Sequence, residues 1–137
     1  MLPESIASLI IDEQDRQSNR FVEDADIHRY IAKLGEKAEI LSDSLDGRCR
    51  GVVAYYCNDF TTRRAYISLV LVDPRDRGSG LGRALVDCVL GIAKRHGFAS
   101  CRLEVAKYNE GAQNMYRALG FRLVESRSTK DLLEVDL

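Results

Sequence analysis

The chain has no tryptophan, two histidines and two prolines. His28 and His96 stand far apart, and the four cysteines (Cys49, Cys57, Cys88, Cys101) show no Cys-x-x-Cys spacing. Those two shortages speak against a zinc centre, and no metal is expected. No apolar run approaches the length of a membrane span, so no membrane partner is expected. No basic region precedes the short apolar run near Met1, so no signal peptide is expected. With no paired cysteine pattern, the chain reads as cytoplasmic, with reduced thiols. Charge of one sign is missing as well: 20 bases against 21 acids leave a net −1. That balance excludes a non-specific nucleic-acid partner.

What is present is ordinary globular material. Apolar residues make up 45% and charged residues 30% of 137 positions. That length suits one domain spanning residues 1–137, which hides roughly two-thirds of its unfolded surface without staples. There are no repeats, linkers or low-complexity tracts. Arginine outnumbers lysine 15 to 5. Guanidinium grips phosphate as a planar fork, so the placement of the arginines matters more than their number.

Apolar periodicity orders the chain. Residues 4–17 and 24–35 read as helices, the second ending at Gly35. Segments 38–43 and 50–57 read as strands joined by the turn Asp46-Gly47. Asn58 to Thr62 is a further turn. Tyr66 to Val72 is nearly all apolar and reads as a strand buried on both faces. Leu81, Ala84, Leu85, Cys88 and Ile92 form the apolar stripe of a helix closed by Gly97, with Cys88 in the core. Residues 101–105 read as a strand. Asn109 caps a helix with inner face Ala112, Met115, Tyr116 and Leu119, closed by Gly120. Strands at 121–125 and 131–136 follow. The mixed order implies an α/β or α+β sheet covered by helices.

The chemistry concentrates at Arg77-Gly78-Ser79-Gly80-Leu81-Gly82, between a buried strand and a helix start. Three glycines in five positions permit a tight turn and close approach of a ligand to the backbone. The helix that follows offers free N–H groups and the positive end of its dipole. Successive N–H groups can form an anion nest, with Arg77 and Arg83 at its rim. The loop reads as a diphosphate cradle. It is not a Walker loop, because no Lys-Ser or Lys-Thr follows, and Arg83 stands where a dinucleotide fingerprint needs glycine.

Arg77-x-x-Gly80-x-Gly82 resembles the (Gln/Arg)-x-x-Gly-x-(Gly/Ala) signature of the GNAT superfamily of N-acetyltransferases. Val72-Asp73-Pro74 is similar to that family's strand end before the loop. Asn109, Ala112, Tyr116 and Leu119-Gly120-Phe121 match its later "N..A...Y..LGF" segment. The likeness is good from about residue 48 to the end and weak before it. It implies a GNAT fold: a mixed central sheet with splayed fourth and fifth strands, flanked by helices. The family's first strand is not visible in residues 1–20, which read as helix.

The resemblance also implies acetyl-CoA as co-substrate. Its pyrophosphate would lie on Arg77, Gly78, Ser79, Gly80, Leu81, Gly82 and Arg83. Its pantetheine would lie along the main chain of Val70, Leu71 and Val72. Tyr116 matches the family's tyrosine acid, and Asn109 matches a residue on the cofactor side, although the same residue also reads as a helix N-cap. Many members carry a glutamate base where this chain has Ser68. Glu104 is the better candidate base: its spacing before Asn109 and Tyr116 resembles that in bacterial ribosomal-protein alanine acetyltransferases, and strand alternation turns it away from Leu103 and Val105. An ordered-water relay ending on Asp59 or a tyrosine is the fallback.

The implied activity is transfer of acetyl from acetyl-CoA to a primary amine by direct attack in a ternary complex, without an acyl-cysteine. A small-molecule amine is the leading acceptor. Protein N-termini or lysines, and a non-catalytic acyl-CoA sensor, are the alternatives. Tyr30, Tyr55, Tyr56, Asn58 and Asp59 are candidates for the acceptor pocket, and Glu23, Asp24 and Asp26 for an acidic rim. The chain is expected to work as a monomer or homodimer.

Overall fold

The computed structural model describes residues 1–18, 20–23 and 26–137; Asp24 lies outside them. Helix α1 (Glu4–Arg16) buries Ile6, Leu9 and Ile10 on one face, and Glu13 falls on that same face one turn later. Helix α2 (Ile27–Lys37) starts where the Asp26 carboxylate accepts from the N–H groups of His28 and Arg29. It runs two residues past Gly35. That glycine does not end the helix; it makes room for the chain's first residues, since a Cβ there would lie 3.0 Å from the Leu2 nitrogen.

Strands β1 (Glu39–Leu45) and β2 (Arg48–Tyr56) form a hairpin through Asp46 and Gly47. Their φ values of +53° and +77° suit a two-residue turn whose twist matches the strands. Strand β3 (Arg64–Val72) follows, then α3 (Leu81–Arg95), β4 (Ser100–Ala106), α4 (Glu110–Ala118), β5 (Arg122–Ser126) and β6 (Lys130–Asp136). The sheet order is β1-β2-β3-β4-β6-β5. Strands β3 and β4 are parallel, joined by the α3 crossover, and the other neighbours are antiparallel. No described helix is long and apolar enough to cross a membrane.

Two apolar layers cover the sheet. On one face, Val86 and Val89 of α3 and Tyr116 of α4 pack on Val53, Cys101, Leu103 and Leu133. On the other, Ile6, Leu9 and Ile10 of α1 and Leu34 of α2 pack on Val52, Ala54, Leu69 and Leu71. The stripe of α3 that enters the core is Leu85, Val86, Val89, Leu90 and Ala93. Cys88 is therefore exposed, not core. The helix carries two adjacent apolar rows at helical spacing, and contact with the sheet selects one of them. Gly51 of β2 fits that contact closely, since a Cβ there would lie 2.8 Å from Leu85 Cδ1.

A bulge decides the shape of the site. Tyr55 pairs with Ile67 but Ala54 pairs with Leu69, so Ser68 is an extra residue in β3. Before it, Ala65 and Ile67 face the α3 layer; after it, Leu69 and Leu71 face the α1–α2 layer. Pairing of β3 with β4 stops at Ile67 and Leu103. Beyond that point the two strands part, and β3 keeps only its β2 ladder. These are the splayed strands implied by the family likeness. They are third and fourth here because the N-terminus is helical. β3 alternates between buried and half-buried residues and is not buried on both faces. The half-buried Ser68, Val70 and Val72 border the opening.

Candidate active site

The opening between β3 and β4 is a cleft of about 1100 Å³. At the end of β3, the Asp73 side chain caps a single turn of 3-10 helix, Pro74–Asp76. Gly78 and Gly80 follow with φ of +80° and +84°, in the left-handed region that glycine enters without steric cost. Gly80 caps α3 with no side chain, so the first N–H groups of the helix remain free at the cleft. Gly82 lets the helix start approach β3: a Cβ there would meet Val72 Cγ2 at 3.3 Å and Met115 Sδ at 3.6 Å. Gly78, Gly80, Leu81, Gly82 and Arg83 all border the cleft. Ser79 turns into the loop, where its hydroxyl donates to the Asp76 carbonyl at 2.6 Å. The result is a concave run of donors at a helix N-terminus, the geometry that holds phosphate.

The three loop arginines do not act alike. Arg75 turns back to Asp73 (2.9 Å), which Arg48 also reaches. The Arg75 guanidinium, with help from Arg48 and against the effect of burial, holds the Asp73 carboxyl well below the usual carboxylate range. Arg77 donates through Nε to the Val72 carbonyl at 3.0 Å and through Nη2 to Glu13 Oε1 at 2.9 Å. Arg83 is exposed at the cleft and has no acidic partner among the described residues.

Val70, Leu71 and Val72 pair with Val53, Val52 and Gly51 on one edge and line the cleft with the other. Tyr116 comes from α4, only 6% exposed, with its ring edge-on to Phe121 at 5.6 Å. It borders the cleft, and its hydroxyl makes no hydrogen bond among the described residues. Burial pushes this phenol well above its ordinary value. Asn109 caps α4 by accepting from the Ala112 N–H at 3.1 Å. It borders the cleft as well, and its amide N–H₂ is not used by the cap. No cysteine lines the cleft.

Glu104 faces the cleft, opposite in direction to buried Leu103 and Val105. It is exposed. Its Oε1 accepts from the Tyr66 hydroxyl at 3.3 Å, and its Oε2 pairs with Arg127 at 3.1 Å. Arg102 and Arg122, nearby in the sheet, both bind Glu134. Burial and the Glu104 charge push the Tyr66 phenol up to about 12.

On the acceptor side, only Tyr30 of the five candidates borders this cleft, with Phe21 and Glu23 nearby. Burial, with Tyr56 adding, pushes the Tyr30 phenol up to about 12. Tyr55 lines a separate cavity of about 330 Å³ with Cys57, Phe60 and His96. Asp59 caps the turn after β2 by accepting from the Thr62 N–H at 3.1 Å, away from the cleft. Of the acidic rim, Asp26 is the α2 cap. Glu23 reaches Lys130 at 3.3 Å, linking the α1–α2 connection to the start of β6. Glu13, Tyr66, Arg127 and Lys130 escape sequence reasoning. Each acts through a partner tens of residues or more away, and no local motif marks it.

A mixed sheet that parts beside a glycine nest, with a phenol at the edge of the gap, defines the acetyltransferase class of α/β fold. The chain belongs to the Acetyltransferase (GNAT) family, whose profile matches residues 6–121. The match reaches well before residue 48, so the N-terminal helices are part of the family pattern. The chain is 36% identical over 97 residues to an uncharacterized N-acetyltransferase of Methanocaldococcus jannaschii (68% of this chain, 42% of that protein). It is 34% identical over 88 residues to the thialysine N-epsilon-acetyltransferase of Bos taurus (61% and 52%). The match thus spans about half the length of these relatives, or less. In fold, a protein of Pyrococcus horikoshii OT3 superposes with a TM-score of 0.83 at 19% identity (100% and 94% covered). The PaiA N-acetyltransferase of Thermoplasma acidophilum, solved with coenzyme A, gives 0.77 at 17% (98% and 92%).

Proposed function

We propose that the chain is an acetyl-CoA-dependent N-acetyltransferase acting on a primary amine, as one domain. The observation that carries this reading is the parting of β3 and β4 beside the Gly78–Gly82 nest, with the Tyr116 hydroxyl bordering the same cleft. The residues fit coenzyme A: a diphosphate finds backbone donors of Gly78, Gly80, Leu81 and Gly82 with Arg83 beside them. An extended amide-bearing arm finds the unpaired edge of Val70, Leu71 and Val72. The Asn109 amide is within the same wall.

When bound, acetyl-CoA supplies a thioester carbonyl as electrophile. The acceptor nitrogen must arrive unprotonated or lose its proton as it attacks, and Glu104 is the carboxylate placed to receive that proton. Arg127 holds the Oε2 side of that carboxylate at 3.1 Å, which leaves Oε1 beside the Tyr66 hydroxyl. The departing thiolate takes a proton from Tyr116. An ordinary tyrosine near 10 donating to a thiol near 8.5 is uphill by roughly 2 kcal/mol, and burial of Tyr116 adds to that. The step stays affordable within an enzymatic barrier. With no cysteine in the cleft wall, direct attack is simpler than an acyl-enzyme route.

A small-molecule amine is the favoured acceptor. The Glu23–Lys130 pair spans the two walls on the acceptor side, and a free amine passes such a bridge more readily than a continuous peptide. The bovine relative's name, thialysine N-epsilon-acetyltransferase, is in keeping with this choice. The four free thiols suit a reducing cytoplasm. The test is acetyl-CoA turnover against a mixed amine library read by mass spectrometry. Acetylated small amines are expected. Acetyl-CoA binding with no product from any amine would make the protein a sensor.

A further inference from the structure

Glu13 is the most buried carboxylate among the described residues, at 3% exposure, and it borders the same cleft as the glycine loop. A buried carboxylate beside a phosphate cradle works against anion binding unless it is neutralised. Its nearest groups are Gln17 Nε2 at 2.6 Å, Arg16 at 3.1 Å and Arg77 Nη2 at 2.9 Å. Arg77 belongs to the loop motif, yet both of its recorded bonds point away from a ligand, to Glu13 and to the Val72 carbonyl. Each of those acceptors belongs to a different wall: α1 on one side, the last residue of β3 on the other.

Resting on the acetyl-CoA reading, we propose that Arg77 is the counter-ion of Glu13 and a strut between α1 and β3, not a ligand of the phosphates. Glu13 is then a positioning residue of the cofactor cradle, 64 positions from the motif it serves. The arrangement does two things. It cancels a negative charge behind the nest, which leaves the backbone donors and Arg83 to meet the diphosphate. It also ties α1 to the end of β3, a tie whose loss is read in melting temperature and not in affinity.

A double-mutant cycle on coenzyme A affinity, measured by calorimetry, separates counter-ion from ligand. Arg77→Gln leaves the Glu13 carboxylate with Arg16 as its one cation, on the side away from the loop motif, and weakens diphosphate binding about tenfold. Glu13→Gln alone changes affinity less than about threefold, because Arg77 keeps its bond to Val72. The Glu13→Gln/Arg77→Gln pair regains affinity to within about threefold of the unaltered protein, as expected when coupled neighbours are removed together. Its melting temperature also exceeds that of Arg77→Gln alone. The loss in Arg77→Gln shrinks as salt is raised.

A double variant as weak as Arg77→Gln would mean that Arg77 touches the phosphates itself, and the proposal would fall. So would unchanged affinity in Arg77→Gln. Failure of the unaltered protein to bind coenzyme A would defeat the functional reading and this inference together. Binding by the unaltered protein without rescue in the pair would defeat the inference alone.

Discussion

Replacing Tyr116 by phenylalanine separates packing from proton transfer. The ring is 6% exposed and sits edge-on to Phe121 at 5.6 Å, and phenylalanine keeps both. The hydroxyl makes no hydrogen bond within the described residues, so its removal leaves no partner stranded. The stability change is therefore expected within about 0.5 kcal/mol. The rate is another matter. A positioned general acid contributes on the order of 10² to 10⁴ in rate, and without it the thiolate must leave unprotonated or take its proton from water. kcat is expected to fall at least 100-fold by that estimate, with the KM for acetyl-CoA nearly unchanged. An acyl donor with a less basic thiol should recover much of the loss, because its thiolate needs the proton less. Product should be followed by mass spectrometry, since exposed Cys88 would react with a chromogenic disulfide reagent. A kcat within threefold of the parent enzyme, or equal losses for both acyl donors, would refute the acid role.

Three further outcomes follow from the same geometry. Gly80→Ala forces a side chain into φ +84° at a cost of roughly 1–2 kcal/mol; the KM for acetyl-CoA should rise several-fold with little change in kcat. Val89→Ala removes two methyl groups from a fully buried site in the α3 layer. About 2 kcal/mol of stability should be lost in denaturant titration, with coenzyme A affinity unaltered. Asp73→Asn should cost about 1.5–3 kcal/mol at pH 7, where charged hydrogen bonds to Arg75 and Arg48 are intact. Because the folded Asp73 carboxyl titrates below its unfolded value, its contribution is full above the unfolded value near 3.9 and fades as pH falls below it. The gap between the melting curves of parent and variant should therefore begin to narrow below about pH 4 and close only below the folded-state value, and a gap that does not narrow as pH falls would contradict the assignment.

How far the site was legible from sequence depends on whether each part is local. The glycine loop and the Asn109 cap were legible, because a positive φ and a cap are demands on single residues. Even the alternation that sends Glu104 to the cleft follows from the period of a strand. Its ion pair with Arg127 does not, since the partner stands on a turn beyond another helix and another strand. The same limit explains the misplaced acceptor candidates. Tyr55 has the right chemistry and the wrong location, and a bulge opposite it in the β2–β3 ladder decides which face each neighbour meets.

By itself, then, the sequence determined the order of elements, the cradle and the tyrosine that matches a family acid, since these rest on contacts within a few residues. The tertiary structure alone decided which α3 row enters the core, leaving Cys88 in solvent. It also placed the bulge at Ser68 that ends the β3–β4 ladder. And it turned Arg77 from an apparent phosphate ligand toward Glu13, because a charge takes its partner from whatever the fold brings within 3 Å, however distant in the chain.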